Sequence, residues 1–122
     1  MVFNVAVRNS DDHELNHGLV QVNGRFCLAD AYDVLPMLST NRIHQHALLI
    51  GDSAAGTVEN LISNAAAFGV SWDAAKAIVS DIQQAIRDQW QDIFHAAGLG
   101  DDEINRLGRY FAPIALRAQT PP

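Results

Sequence analysis

Asp11 and Asn16 stand five positions apart in Asn9-Ser10-Asp11-Asp12-His13-Glu14-Leu15-Asn16, and Asp33 follows seventeen residues later in Ala31-Tyr32-Asp33. An acid, four intervening residues and an amide is the spacing of a protein-kinase catalytic loop. There the acid accepts the proton of a substrate hydroxyl, while the amide and a second, downstream acid hold magnesium on phosphate oxygens. General-base help of this kind contributes on the order of 10²–10⁴ in rate. Magnesium favours one or two carboxylates completed by phosphate oxygens, a role that suits Asn16 and Asp33. The spacing alone also fits a solvated turn, since Asp and Asn are common in loops. His13 inside the interval and Asp33 beyond a hairpin raise it above that.

The elements that must position these residues can be read along the chain. Val2, Phe3, Val5, Ala6 and Val7 form an apolar segment whose periodicity assigns it to neither helix nor strand. Leu19 to Val22 and Arg25 to Leu28 flank Asn23-Gly24, the strongest short hairpin signal, so the chain should turn back and return Asp33 toward the loop. From Ala29 to Gly56 sustained periodicity is lacking and Pro36 intervenes. This reads as an irregular connection with one apolar piece, Ala47 to Ile50.

The remainder reads as helical. Thr57 caps a helix with Val58, Leu61, Ile62 and Ala65 on one face, ended by Gly69. Ser71 caps a longer one from about Trp72 to Ala97, with a stripe from Ala75 through Val79, Ile82, Ile86, Trp90 and Phe94. Gly98 stops it. Asp101 or Asp102 opens a third, with Ile104, Leu107, Tyr110 and Phe111 inward and Pro113 weakening its continuation. The expected fold is mainly α, with one β-hairpin near the N-terminus, as a single domain over 1–118 and a frayed tail at 119–122.

Composition narrows the partners. Eight basic and fourteen acidic residues give a net charge of −6, and Lys76 is the sole lysine. Binding to nucleic acid or an anionic membrane needs clustered basic charge, which the scattered arginines do not supply. No apolar run approaches the roughly 20 residues of a membrane span, and the first residues lack the basic region of a signal peptide. Cys27 is the single cysteine, excluding an internal disulfide and a cysteine zinc site. It reads as a small buried apolar residue in a strand, in a reducing, cytoplasmic compartment.

Two motifs in this chain are specific together. Ser10, Asp11, His13 and Asn16 fit the form (S/T)-D-x-H-x-x-N, and Leu28, Ala29, Ala31, Tyr32, Asp33 and Pro36 fit L-(A/S)-x-A-Y-D-x-x-P. In these residues, and in Thr57 to Leu61 and Ala67 to Ser71, the chain resembles the HipA family of serine/threonine kinases, the toxins of bacterial toxin–antitoxin pairs. The resemblance runs from about Val2 to Phe111. It implies a helical, kinase C-lobe-like domain in which Asp11 is the general base and Asn16 and Asp33 are the magnesium ligands that meet the nucleotide. His13 takes the place of the loop-internal histidine of the catalytic segment, in a role more structural than chemical.

The resemblance further implies transfer of the ATP γ-phosphoryl to a protein serine or threonine in a complete enzyme. Leu15 departs from members that carry lysine before the Asn, so a phosphate contact made by that lysine is absent. Nothing in the chain supplies a phosphate-covering loop, a nucleotide-pairing lysine or an adenine hinge. The chain is therefore expected to be the C-terminal part of such a kinase, inactive alone and holding neither ATP nor Mg2+ tightly. The other expectation is a non-catalytic module that binds an antitoxin-like protein or a separately encoded N-terminal part. Homodimerisation would be one way to cover an exposed apolar face.

Rival readings are blander. His13 and His17, four apart, and His44 and His46, around Gln45, could be offered as a zinc or nickel site. Gly18 and the following strand argue against a helix that would present the first pair, and loop or surface histidines are the simpler account. His95 sits where a helix C-terminus favours it. Trp72, Trp90 and Phe94 read as core or interface residues, and Asp101-Asp102-Glu103 as a helix start. Gly51 to Gly56 lacks the Lys-Ser/Thr ending of a phosphate loop and reads as a connector.

Overall fold

The computed structural model describes residues 1–38 and 44–115, with side chains as far as Tyr110. The ambiguous apolar start is a helix, α1 (Val2–Ala6), whose Asn4, Val5 and Ala6 are buried. It ends in a Schellman arrangement: Asn9 N–H bonds the Asn4 carbonyl at 2.8 Å and Arg8 N–H bonds the Val5 carbonyl at 3.2 Å. Arg8 adopts φ 63° where glycine is usual. That conformation costs a side-chain-bearing residue about 1–2 kcal/mol, and it sets the direction in which the chain enters the Asp11 segment.

The hairpin forms as the sequence predicts. β1 (Leu19–Val22) pairs antiparallel with β2 (Arg25–Leu28), Leu19 opposite Leu28 and Val22 opposite Arg25. Asn23 at φ 50° and Gly24 at φ 77° make the turn with both central residues at positive φ. All eight strand residues are exposed. Cys27 is accordingly exposed, which corrects its reading as buried.

Between 29 and 56 the described residues contain no helix or strand. They are held by single bonds, chiefly Met37 N–H to the Arg8 carbonyl at 3.0 Å and Ala47 N–H to the Ser10 carbonyl at 2.9 Å, and by a lone bridge between Gln45 and Ala55. Of the apolar piece 47–50, only Ile50 is buried.

α2 (Val58–Ser63) is capped by Thr57, whose hydroxyl accepts from Asn60 N–H at 3.2 Å. It is shorter than its apolar pattern. Ser63 donates its hydroxyl to the Asn60 carbonyl at 2.8 Å, the group Asn64 N–H would take in a continuing helix. A 3-10 turn (Ala65–Phe68) follows, and Gly69 at φ 68° ends that turn and not α2.

α3 (Trp72–Ala96) is capped by Ser71 through Ala74 N–H, and α4 (Asp101–Ala115) runs through Pro113, the residue expected to weaken its continuation. α3 packs against α1, α2 and α4. The core is Val5, Ile50, Leu61, Ile62, Ala65, Ala75 and Val79, with Val2, Val58 and Val70 against it. α4 is anchored by the buried Ile104 and by Gly108, where a Cβ would come within 2.9 Å of the Trp90 ring. Trp90 meets Phe94 edge-on at 5.7 Å. Trp72 is no core residue: it is 58% exposed, with the Lys76 ammonium 3.4 Å above its ring. No described helix is long and apolar enough to cross a membrane. The expected tail at 119–122 lies outside the described residues.

Candidate functional site

The segment from Asp11 to His17 leaves the Schellman turn, makes one 3-10 turn (Glu14–Asn16) and enters β1. Its shape is fixed from within. Asn16 donates its side-chain amide to the Asp11 backbone carbonyl at 3.0 Å, and Asn16 N–H bonds the His13 carbonyl at 3.0 Å. The Asn16 amide nitrogen is thereby used inside the loop, which leaves its carbonyl oxygen as an acceptor. Asp11 is exposed, and His13 and Asn16 are half-buried. The His13 side chain makes no hydrogen bond or ion pair among the described residues.

The hairpin returns the chain to this loop. Ala29 N–H bonds the Gly18 carbonyl at 2.8 Å, and the Tyr32 hydroxyl donates to the Leu15 carbonyl at 2.8 Å. A Cβ at Gly18 would meet Ala29 at 3.4 Å and the Tyr32 hydroxyl at 3.6 Å, ordinary van der Waals distances, so the approach does not depend on glycine. Asp33 is the next residue after Tyr32, whose hydroxyl is tied to the loop. It is exposed and sits at φ 55°, a conformation that Asp tolerates better than most residues and that recurs at functional sites. A cleft of about 460 Å³ lies between loop and returning segment, lined by Asp12, Asn16, His17, Asp30 and Tyr32 among others. Asn16 lines it, whereas Asp11, His13 and Asp33 do not.

Asn16 and Asp33 present oxygen donors alone, the chemistry that suits magnesium and not a softer metal. No cluster of three or more His, Cys, Asp or Glu side chains among the described residues could hold a metal ion, so the four histidines at 13, 17, 44 and 46 do not converge on one.

Beneath the loop lies polar chemistry that spacing did not reveal. Asp12 is buried and accepts from His17 Nε2 at 2.8 Å, which staples the two ends of the loop. Arg8, Asn9, His44 and His46 are also buried, Asn9 at 2% exposure. Burial holds the His46 imidazole below its ordinary pKa of 6.5. Asp12 and the Asn9 backbone oppose that shift, while His44 and the N-terminal amine add to it. A hydrophobic-pattern reading passes over such residues because they look like ordinary loop polars. The one available sign is four polar residues, Arg8 to Asp11, directly after an apolar helix with no glycine to end it.

Against known families, the model of the HipA-like C-terminal domain matches residues 1–90. The chain belongs to this family. The matched stretch takes in the loop, the hairpin, Asp33, α2 and most of α3 of the HipA-like domain. Searches among characterised proteins and among solved structures return no match.

Proposed function

We propose that this HipA-like domain is the base-and-metal side of a serine/threonine kinase, built like a kinase C-lobe. Asp11 receives the proton of a serine or threonine hydroxyl as that oxygen bonds to the γ-phosphorus of ATP and ADP leaves. Asn16 and Asp33 would hold Mg2+, which neutralises charge on the phosphates. His13 serves as a spacer within the loop. Phosphoryl transfer relies on positioning and charge neutralisation, so what this chain contributes is the spatial relation of three side chains.

The observation that carries the reading is the bond from Tyr32 to the Leu15 carbonyl, which ties the Asp33 segment to the Asp11–Asn16 loop across the hairpin. Mn2+ titrated with ATP into the isotopically labelled chain is expected to broaden the NMR signals of Asn16 and Asp33 first. Broadening that centres on the histidines, or that leaves residue 33 untouched, defeats the proposal. The chain alone is expected to turn over no appreciable ATP. Joined to a nucleotide-binding N-terminal half, it should phosphorylate serine or threonine, with Asp11→Ala lowering the rate by about 10²–10⁴.

A second reading, a non-catalytic module for an antitoxin-like protein or a separately encoded N-terminal part, is favoured by the bare hairpin. A two-stranded ribbon is marginal in water without cover, and here Leu19, Val20, Val22, Phe26 and Leu28 are all exposed. Tight binding to such a partner with no phosphotransfer in the complex would select this reading over the first.

A further inference from the structure

Helix α3 sorts its charges by face. Lys76 and Arg87 line a cleft of about 520 Å³ against α2, whereas the helix's acids, Asp73, Asp81, Asp88 and Asp92, do not. Ser80 and Gln83 stand between the two cations in the lining, at the spacing that keeps all four on one stripe of the helix. Val58, Ile62 and Val79 supply the apolar part, the last two being core residues. Trp72 also lines the cleft, with the Lys76 ammonium 3.4 Å from the centre of its exposed ring. Lys76 makes no ion pair among the described residues. A chain of net charge −6 that gathers both of these cations in one cleft is complementary to an anionic occupant.

We propose that this cleft docks an extended acidic segment of another protein, with a carboxylate at each cation and an apolar side chain between them. Lys76 and Arg87 are separated by roughly 16 Å along the helix at its rise of about 1.5 Å per residue, too far to share one phosphate or carboxylate. An extended peptide covers that distance in about five residues. Glu59, the one acid in the lining, repels a chain of closely spaced phosphates, whereas a peptide N–H can meet it. Ser63, Ser80 and Gln83 offer neutral groups that pair with peptide N–H and C=O. Tryptophan and arginine are also the residue types that most often carry binding energy at interfaces.

This cleft shares no lining residue with the one beside the Asp11 loop. Docking there needs neither nucleotide nor metal, so the proposal stands or falls without the phosphotransfer reading. Random peptides displayed on phage and selected against the full 122-residue chain are expected to enrich for pairs of Asp or Glu about five residues apart. A synthetic peptide of the enriched sequence should shift the Trp72 indole and the Ser80 and Gln83 amides in NMR spectra, with an affinity that falls as salt rises. Lys76→Glu and Arg87→Glu should each weaken it about three- to tenfold. A peptide with lysine in place of one acid should regain affinity for the matching variant. Lys76 is exposed, so its reversal is expected to fold even should Arg87→Glu not. Oligothymidylate and inorganic phosphate are the competing probes. Enrichment without acids, or unaltered affinity in Lys76→Glu, overturns the proposal. So does either competing probe perturbing these groups more strongly than the peptide.

Discussion

Two residues that no motif position specifies decide how the loop is held. Asp12 accepts a 2.8 Å hydrogen bond from His17 across the loop, with the carboxylate buried and the imidazole 40% exposed. Solvent screening on the imidazole side reduces its worth below that of a fully buried charged pair. A double-mutant cycle of Asp12→Asn and His17→Gln, read by urea unfolding, is expected to give a coupling of about 0.5–1.5 kcal/mol. Additive single effects would show the pair to be incidental.

His46 supplies the pH dependence at the same scale. Its folded pKa lies below 6.5, so the unfolded chain binds the proton first as pH falls. The contribution of the neutral ring is therefore complete above about pH 6.5 and is lost progressively below it, toward the lower folded pKa. Comparing wild type with His46→Asn, the stability difference between about pH 7.5 and pH 5.5 should be larger in the wild type. Equal slopes would remove His46 from the account.

At the scale of elements, the irregular stretch before α2 owes its shape to one side chain. Asn60 is buried and donates to the carbonyls of Ser53 and Ala55 at 2.7 and 2.8 Å, while its oxygen accepts from Ser53 N–H at 3.2 Å. It thus folds the 51–56 connector onto α2, and Gly56 with it. Gly51 lies so close to the Asn60 carbonyl and the Ser63 hydroxyl that no Cβ fits. Asn60→Ala is expected to destabilise the domain by about 2–4 kcal/mol, because it leaves buried backbone groups unpaired. Thr57→Ala, which removes only the cap of α2, should cost about 1 kcal/mol. Thermal unfolding of both variants ranks them, and a reversed order would contradict the anchoring role of Asn60.

At the scale of the molecule, much apolar surface is left outside. Among the described residues, ten hydrophobic ones form the buried set, while eighteen large hydrophobics are exposed, the hairpin among them. A groove of about 350 Å³ along α3 is lined almost wholly by apolar side chains, including Phe3, Ile82, Ile86 and Phe94. Monomers seldom leave contiguous apolar patches of this kind uncovered. The chain is expected to bind an apolar fluorescent dye in its native state and to self-associate with concentration. Replacing Val20 and Phe26 with serine should reduce both without lowering the unfolding temperature. A strictly monomeric, dye-silent chain would mean that this surface is closed in solution.

What the sequence alone determined is local. Asn23-Gly24 made a hairpin because positive φ at two adjacent positions leaves the chain little else to do. Thr57 and Ser71 capped helices because their hydroxyls reach an N–H three residues on, and the loop and Tyr32-Asp33 motifs carried the family. The tertiary structure decided what depends on residues far apart in the chain. It put Asp12 underground against His17, buried His46, made Asn60 an anchor, and left Cys27 and Trp72 in the open. Burial is a property of what packs against a residue, and neither periodicity nor spacing records which distant segment that will be.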